Sequence, residues 1–382
     1  MITGIKSTRI LANGGIMAGT VCIKDNKIVT VSAEPCEVDT LIDVGDKYVS
    51  AGWIDIHTHG GAGHDFADGV EDVIGGANFH LTHGTTSICP TISAADFEVM
   101  SKAVEYVESA MSNSDTLPNI IGAHLEGPYL SKKQCGAQCP DFITAPNPDE
   151  YVPLINEHGD AIARWTYAPE NDDGSFAKYA SDRKIVVSAG HTDAIYRDME
   201  IAIANGCTLV THLYSCTSTV TREYGFRRLG VIETALLRDD IYAEIIADGK
   251  HLPPDLIRLI IKAKGTDKVA LVTDSLSLAG TDAKEGKMMA TEYVIEDGVC
   301  KLKDRSAFAG SIATMDRLVR VIRDEVGMSI VDAVKMASEV PAKIMGLNKG
   351  VLAEGYDADI VIFDDNITVT EVWVGGKCKY HS

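Results

Sequence analysis

The chain has eleven histidines, and four of them share one kind of position with two carboxylates. His57 and His59 lie in GWIDIHTHGGAG, Glu126 in HLEGPY, His191 in SAGHTD, His212 in VTHLYS and Asp274 in LVTDS. Each stands at or just past the end of a short apolar, β-branched run. Side chains alternate along a strand, so His57 and His59 project to the same side while Thr58 faces the other way. Four imidazoles and two carboxylates form a set of N and O donors suited to Zn²⁺, Mn²⁺ or Fe²⁺, and large enough for two ions. The chemistry open to such a set is metal-assisted hydrolysis. Singly, each residue has a plainer explanation. A strand His is usually a hydrogen-bonded core group, Glu126 could be a turn carboxylate facing water, and Asp274 could cap the following helix. Those explanations do not account for six such groups gathered at the ends of five strands.

The elements that must position them alternate. Strands are expected at Trp53–His57, Thr86–Pro90, Ile120–Glu126, Arg164–Ala168, Ile185–His191, Cys207–His212, Tyr242–Asp248 and Val269–Asp274. Stretches such as AADFEVMSKAVEYVESAM and DLIRLIIKAKG lie between them, with apolar residues at three- and four-residue spacing. Eight strand–helix units predict a (β/α)8 TIM-type barrel over residues 51–345, whose functional groups come from the C-terminal ends of the strands. Both ends of the chain read differently. Alternating runs flank Asp25-Asn26-Lys27 and Asp364-Asp365-Asn366, the pattern of hairpins. Residues 1–50 and 346–382 are therefore expected to join into a small β-sandwich domain.

Composition narrows the partners. In 382 residues the formal net charge is −20, which argues against nucleic acid or an anionic membrane as the main partner. An anionic small molecule would need positive charge supplied locally. The nine cysteines include no CxxC pair, and Cys135 and Cys139 lack the companions of a structural zinc site. Scattered thiols fit a reduced compartment. With no signal-like N-terminus and no run of about 18 apolar residues, a cytoplasmic location is expected.

The other histidines carry less. His80 and His83 sit three apart near a helix end, where an imidazolium would favour the helix dipole; their role is read as structural. His124 is expected one layer beneath Glu126, supporting it, while His64 lies in a Gly-rich loop. His158 and His381 are expected at the surface. His251, in IIADGKHLPP, falls on the rim and is a candidate substrate contact.

With these motifs placed, the chain resembles the amidohydrolase superfamily, and within it the branch that deacetylates amino-sugar phosphates. The resemblance rests on GWIDIHTHGGAG, THGTTSICPT, HLEGPYLS, SAGHTDA, VTHLYS, ADGKHL, LVTDS, FAGS and KGVLAEGYDADIVIFD, in the family's order along nearly the whole chain. Many superfamily members bridge two ions with a modified lysine on strand four; here RWTYAPE has no lysine and Glu126 takes that part.

The resemblance implies one or two divalent ions per subunit, zinc first, with iron, manganese, cobalt or nickel as alternatives. Glu126, His191 and His212 would hold one ion; His57 and His59, with Asp274, would complete a second site. Asp274 would also be the catalytic acid–base. Ala137, Gln138, Ser215, Cys216, Arg222, His251, Phe308, Ala309 and Gly310 match substrate contacts, and FAGS matches a loop that closes over the substrate. Arg222 would reach the neighbouring subunit's site in a homodimer. The implied reaction is removal of acetyl from N-acetyl-D-glucosamine 6-phosphate. Alternatives are an isomeric acetamido sugar such as the galactosamine 6-phosphate, or an N-acyl amino acid; a non-catalytic sugar-phosphate binder is disfavoured. Departures from the family pattern fall at Ser215-Cys216-Thr217, where Asn-Ala-Met is usual, at Tyr224, where Pro is usual, and at Gln138, where His is usual. None is a metal ligand.

Overall fold

The computed structural model describes all residues 1–382. Eight parallel strands form the barrel wall: Trp53–Thr58, Thr85–Ser93, Ala123–Glu126, Ile162–Tyr167, Val186–Ala189, Cys207–Val210, Tyr242–Ile245 and Val269–Leu271. Each pairs with the next in chain order. The first and eighth strands are joined without a regular ladder. Asp274 N donates to His57 O at 2.9 Å, and the buried Asp55 carboxylate accepts from Thr273 Oγ1 at 2.5 Å.

The expected third strand is interrupted. Asn119–Ile120 and Ala123–Glu126 are separate pieces, broken at Gly122, whose φ of 138° suits glycine alone. The later strands also stop two or three residues earlier than the apolar runs suggest. His191, His212 and Asp274 thus lie beyond the ladder, with φ of 47°, 25° and 47°. Non-glycine residues in this region are uncommon and cluster at functional sites.

Helices cover the barrel as their spacing predicts. Phe97–Met111 buries Met100, Ala103, Val104, Val107 and Ala110, and Pro254–Lys264 buries Ile257, Ile260 and Ile261. At the end of the barrel away from the site, Val340, Ala342 and Ile344 pack with Ile54, Ile56, Leu209 and Val272.

Strands from both chain ends share one sheet. Tyr48–Ala51 pairs with Ile2–Ala12 on one side and with Ile360–Phe363 on the other. The long first strand also pairs with Thr40–Asp43, so the sheet branches at its bulge between Ser7 and Ile10. A separate core, including Ile5, Ile10, Val21, Ile28, Val49, Ile360, Ile362 and Trp373, forms within this unit.

Two insertions lie beyond the eight units. A four-stranded antiparallel meander, Glu285–Met288, Thr291–Glu296, Val299–Leu302 and Phe308–Gly310, follows the eighth strand. A short hairpin, Thr221–Glu223 with Phe226–Arg228, follows the sixth.

Candidate metal centre and its cavity

The six expected ligands converge at the C-terminal end of the barrel, each no more than 9% exposed. Their placement follows from where each strand stops. His57 is the penultimate residue of the first strand and Glu126 the last of the third. His191, His212 and Asp274 turn inward through their left-handed backbone.

Around Glu126 Oε1 the spacing is close and even. His191 Nε2 lies 3.2 Å away, His212 Nε2 3.1 Å, and the two nitrogens are 3.2 Å apart. A tetrahedral ion with bonds of about 2.0 Å has ligand–ligand edges of roughly 3.3 Å, so these atoms match one face of such a polyhedron. A second cluster adjoins it. Asp274 Oδ1 lies 3.2 Å from His59 Nε2 and 3.5 Å from His57 Nε2. Glu126 Oε2 is 3.3 Å from His59 Nε2, and Oε1 is 3.4 Å from His57 Nε2, so the carboxylate spans both clusters.

The ring nitrogens are oriented for ligation. The Nδ1–H groups of His57, His59 and His191 can donate to Glu244 Oε1 at 2.8 Å, Ser93 Oγ at 3.0 Å and Gln134 O at 3.0 Å. This leaves their Nε2 lone pairs facing the cluster, the usual outer-shell support of metal-binding imidazoles. His57 Nε2 is buried with no hydrogen-bond partner. An orphaned acceptor in that position fits a cation.

The electrostatics point the same way. Burial alone would lower the His57 imidazole, yet Glu126, Glu244 and Asp274 push it up to about 10. Against the same burial, Asp274 and Glu126 push His59 up to about 9. Burial raises the Glu126 carboxyl, but His57 and His191 overcome this and hold it well below the usual range. Asp274 is also lowered, His57 and His59 outweighing its burial. His212 is lowered, mainly by burial. The carboxylates thus draw positive charge into the centre, a demand that protons or a metal ion can meet.

A cavity of about 250 Å³ opens above this floor. Ala137, Gln138, Ser215, Cys216, His251, Phe308, Ala309 and Gly310 line it, as do His59, Glu126, His191, His212 and Asp274. His57 lies beneath the lining, fully buried. Gln138 is less free than a substrate contact would be. Its Nε2 donates to Glu126 Oε2 at 2.7 Å, and its Oε1 accepts from Ala94 N at 2.9 Å. His251 Nδ1 donates to Asp248 Oδ2 at 2.8 Å, and its ring meets Phe308 edge to face at 5.0 Å. Phe308–Gly310 is an edge strand of the meander, where the resemblance implied a loop; its pairing to Val299–Leu302 makes the wall ordered. Arg222 does not line this cavity. It sits exposed on the hairpin, beside Tyr224 at 94% and Phe226 at 77% exposure.

Residues 48–379 match the amidohydrolase family. The chain is also 32% identical over 380 residues to the N-acetylglucosamine-6-phosphate deacetylase of Lysinibacillus sphaericus, covering 97% of this chain and 96% of that one. The chain belongs to the amidohydrolase family. A second relative, the N-acetylgalactosamine-6-phosphate deacetylase of Shewanella, is 31% identical, with 87% of this chain and 83% of that one covered. In three dimensions this amidohydrolase resembles N-acetylglucosamine-6-phosphate deacetylase from Pasteurella multocida, with a TM-score of 0.92, 27% identity and complete coverage of both chains.

Four supporting groups escaped the sequence reading. Glu244 and Arg164, both fully buried, lie behind His57, and Arg164 Nη1 donates to Glu244 Oε2 at 2.6 Å. Asp248 holds His251, and Tyr214 adds to the cavity wall. Glu244 occupies the seventh strand two residues before the run ends, and a charged residue in an otherwise apolar strand was the available signal. His124 holds the supporting position expected of it, between Thr91 Oγ1 at 3.1 Å and Thr166 Oγ1 at 2.7 Å. His80 is structural but not cationic: burial pushes it down to about 4, and its Nε2 reaches Gly60 O at 2.9 Å. The expected dipole interaction fails because the ring points into the protein. His158 is mostly covered and pairs with Glu108 at 2.9 Å. No helix is long and apolar enough to cross a membrane.

Proposed function

We propose that this amidohydrolase removes the acetyl group from N-acetyl-D-glucosamine 6-phosphate, giving glucosamine 6-phosphate and acetate. The observation that carries the reading is the paired N/O donor cluster bridged by Glu126 at the floor of a substrate-sized cavity, in a chain whose full-length relatives are deacetylases of amino-sugar phosphates. Glu126, His191 and His212, mutually 3.1–3.2 Å apart, would hold one divalent ion; His57, His59 and Asp274 suit a second. Zinc is the preferred ion, with iron, manganese, cobalt or nickel able to use the same donors. Such an ion supplies Lewis acidity, acidifying a water and polarising a carbonyl oxygen.

Asp274 is the proposed acid–base. His57 and His59 keep it deprotonated, so it can take a proton from the attacking water and pass it to the amine nitrogen as the C–N bond breaks. An amine leaves poorly without that proton. The acetyl carbon keeps the water oxygen, and acetate departs.

No lysine or arginine lines the cavity, so a phosphate there has only imidazole cations from this chain. That favours the homodimeric arrangement, with the exposed Arg222 of a second copy supplying a guanidinium fork. The galactosamine isomer is the second reading, represented by the Shewanella relative, and the more numerous gluco-phosphate relatives weigh against it.

Acetate release from zinc-loaded protein should be measured on both 6-phosphates and on free N-acetylglucosamine. The gluco-phosphate should be fastest, and chelation should abolish turnover until metal is restored. Equal rates with and without phosphate would refute the phosphate reading, and activity without any transition metal would refute the metal centre.

A further inference from the structure

Behind the metal floor lies a buried acid–base pair that none of the steps above requires. Glu244 Oε1 accepts from His57 Nδ1 at 2.8 Å and from His212 N at 3.0 Å. One oxygen thus touches a ligand from each cluster. Its other oxygen accepts from Arg164 Nη1, and Arg164 also donates to Ile56 O at 3.1 Å, Ser188 Oγ at 3.1 Å and Thr211 Oγ1 at 2.9 Å. Those partners sit on the first and fifth strands and just past the end of the sixth, so the guanidinium pins Glu244 against the barrel from several sides.

We infer that Glu244 is the positioning residue that couples the two ion sites, by fixing the His57 ring in the tautomer with Nδ1–H and by holding the His212 backbone in its turn. The inference rests on the metal-centre reading above. His57 Nε2 borders both clusters, so its lone pair is shared property of the two sites. If the proton moved to Nε2, neither cluster would have that ligand. The His212 amide matters equally, because its residue holds a φ of 25° that a free backbone avoids.

Glu244→Gln isolates the effect with little change in shape. An amide has one oxygen. Turned toward His57 and His212, it presents its NH₂ to Arg164, and the buried guanidinium loses its carboxylate acceptor. Turned toward Arg164, it presents NH₂ to His57 Nδ1 and His212 N, which drives the His57 proton onto Nε2. Either way the ligand is less well held, and outer-shell losses of this kind weaken metal binding by about 10- to 100-fold.

The test is zinc affinity and stoichiometry of wild type and Glu244→Gln by dialysis against a competing chelator, with thermal melting on the same samples. In parallel, ¹⁵N NMR of zinc-loaded wild type, in which His57 is a neutral ligand, reads which ring nitrogen carries the proton. The expected result is a 10- to 100-fold weaker zinc affinity in a protein that still melts cooperatively, at a lower temperature because the buried Arg164 has lost its carboxylate, and a zinc-loaded wild-type His57 protonated at Nδ1. Unchanged zinc affinity in Glu244→Gln, or a wild-type proton on Nε2, overturns the inference and leaves the metal centre standing. A wild type that binds no zinc overturns the metal centre itself. If Glu244→Gln does not fold, the Arg164→Met/Glu244→Gln pair, which removes the unpaired guanidinium as well, takes its place, and the tautomer measurement decides independently.

Discussion

The floor and the rim of the cavity are built on different principles. On the floor, every candidate ligand is buried, and three of the imidazoles are oriented through Nδ1: by Glu244 for His57, Ser93 for His59 and the Gln134 carbonyl for His191. On the rim, Arg222 rides an exposed two-stranded hairpin, and Phe308 comes from a meander outside the barrel. A rigid floor suits chemistry that needs atoms held to a fraction of an ångström, whereas a rim made of insertions can change with the substrate. The metal-binding chemistry should therefore be insensitive to rim substitutions, and substrate choice insensitive to most of the barrel.

The largest effect expected from a single change is on the floor. Asp274→Asn should lower kcat by on the order of 10²–10⁴, the usual contribution of a positioned acid–base group. Metal content must be measured on the same sample, since Asp274 Oδ1 also faces His59. Turnover near wild type would remove Asp274 from the reaction and erase the proposed difference between floor and rim.

The second expected effect sharpens the electrostatic side. In the metal-free chain His57 is raised to about 10 and His59 to about 9, so at pH 7 they hold protons that an entering ion must displace. The sign follows: apparent metal affinity falls as pH falls from 9 to 7, by about tenfold per unit for each proton released. Calorimetry in buffers of different ionisation enthalpy counts those protons. A pH-independent affinity with no proton release would contradict the charge demand assigned to Glu126 and Asp274.

The smallest effect belongs to the rim. Arg222→Ala should raise KM for the 6-phosphorylated sugar by roughly 10- to 100-fold, as expected for losing a charge-assisted contact, and change little for the unphosphorylated sugar. kcat should fall less than kcat/KM, because the proposed contact is to the phosphate and not to the acetamide. If the hairpin meets a second copy, Tyr224→Ala should also weaken the dimer in sedimentation while leaving zinc content unchanged. A fully active monomer, or a loss of metal in either variant, would collapse the distinction between the two regions.

These contrasts also mark what could be read from residue order. Barrel strands announce themselves because a fully buried parallel strand is a run of β-branched residues, and such runs end where the chain turns toward solvent or toward a site. His57, Glu126, His191, His212 and Asp274 stood at those ends, so their convergence followed once eight units were counted. The break at Gly122 and the early stops before His191 and Asp274 were hidden, since an apolar run continues past the last ladder bond. His80 misled because helical position says nothing about which way a ring faces. Its neutrality comes from burial against Gly60, a contact twenty residues away in sequence.

By itself, the sequence determined the identity of the donors, their shared address and the (β/α)8 frame, because strand alternation and helix periodicity are local properties of the chain. Only the tertiary structure decided the rest. Glu244 became a support for His57, 187 residues away, when barrel closure brought the first and seventh strands to either side of the eighth. Gln138 became a partner of Glu126 because its loop folds inward. Arg222 was left outside its own cavity because its hairpin projects from the barrel rim. Each is a contact between distant segments, and distance along a chain carries no record of who will meet whom until the strands close.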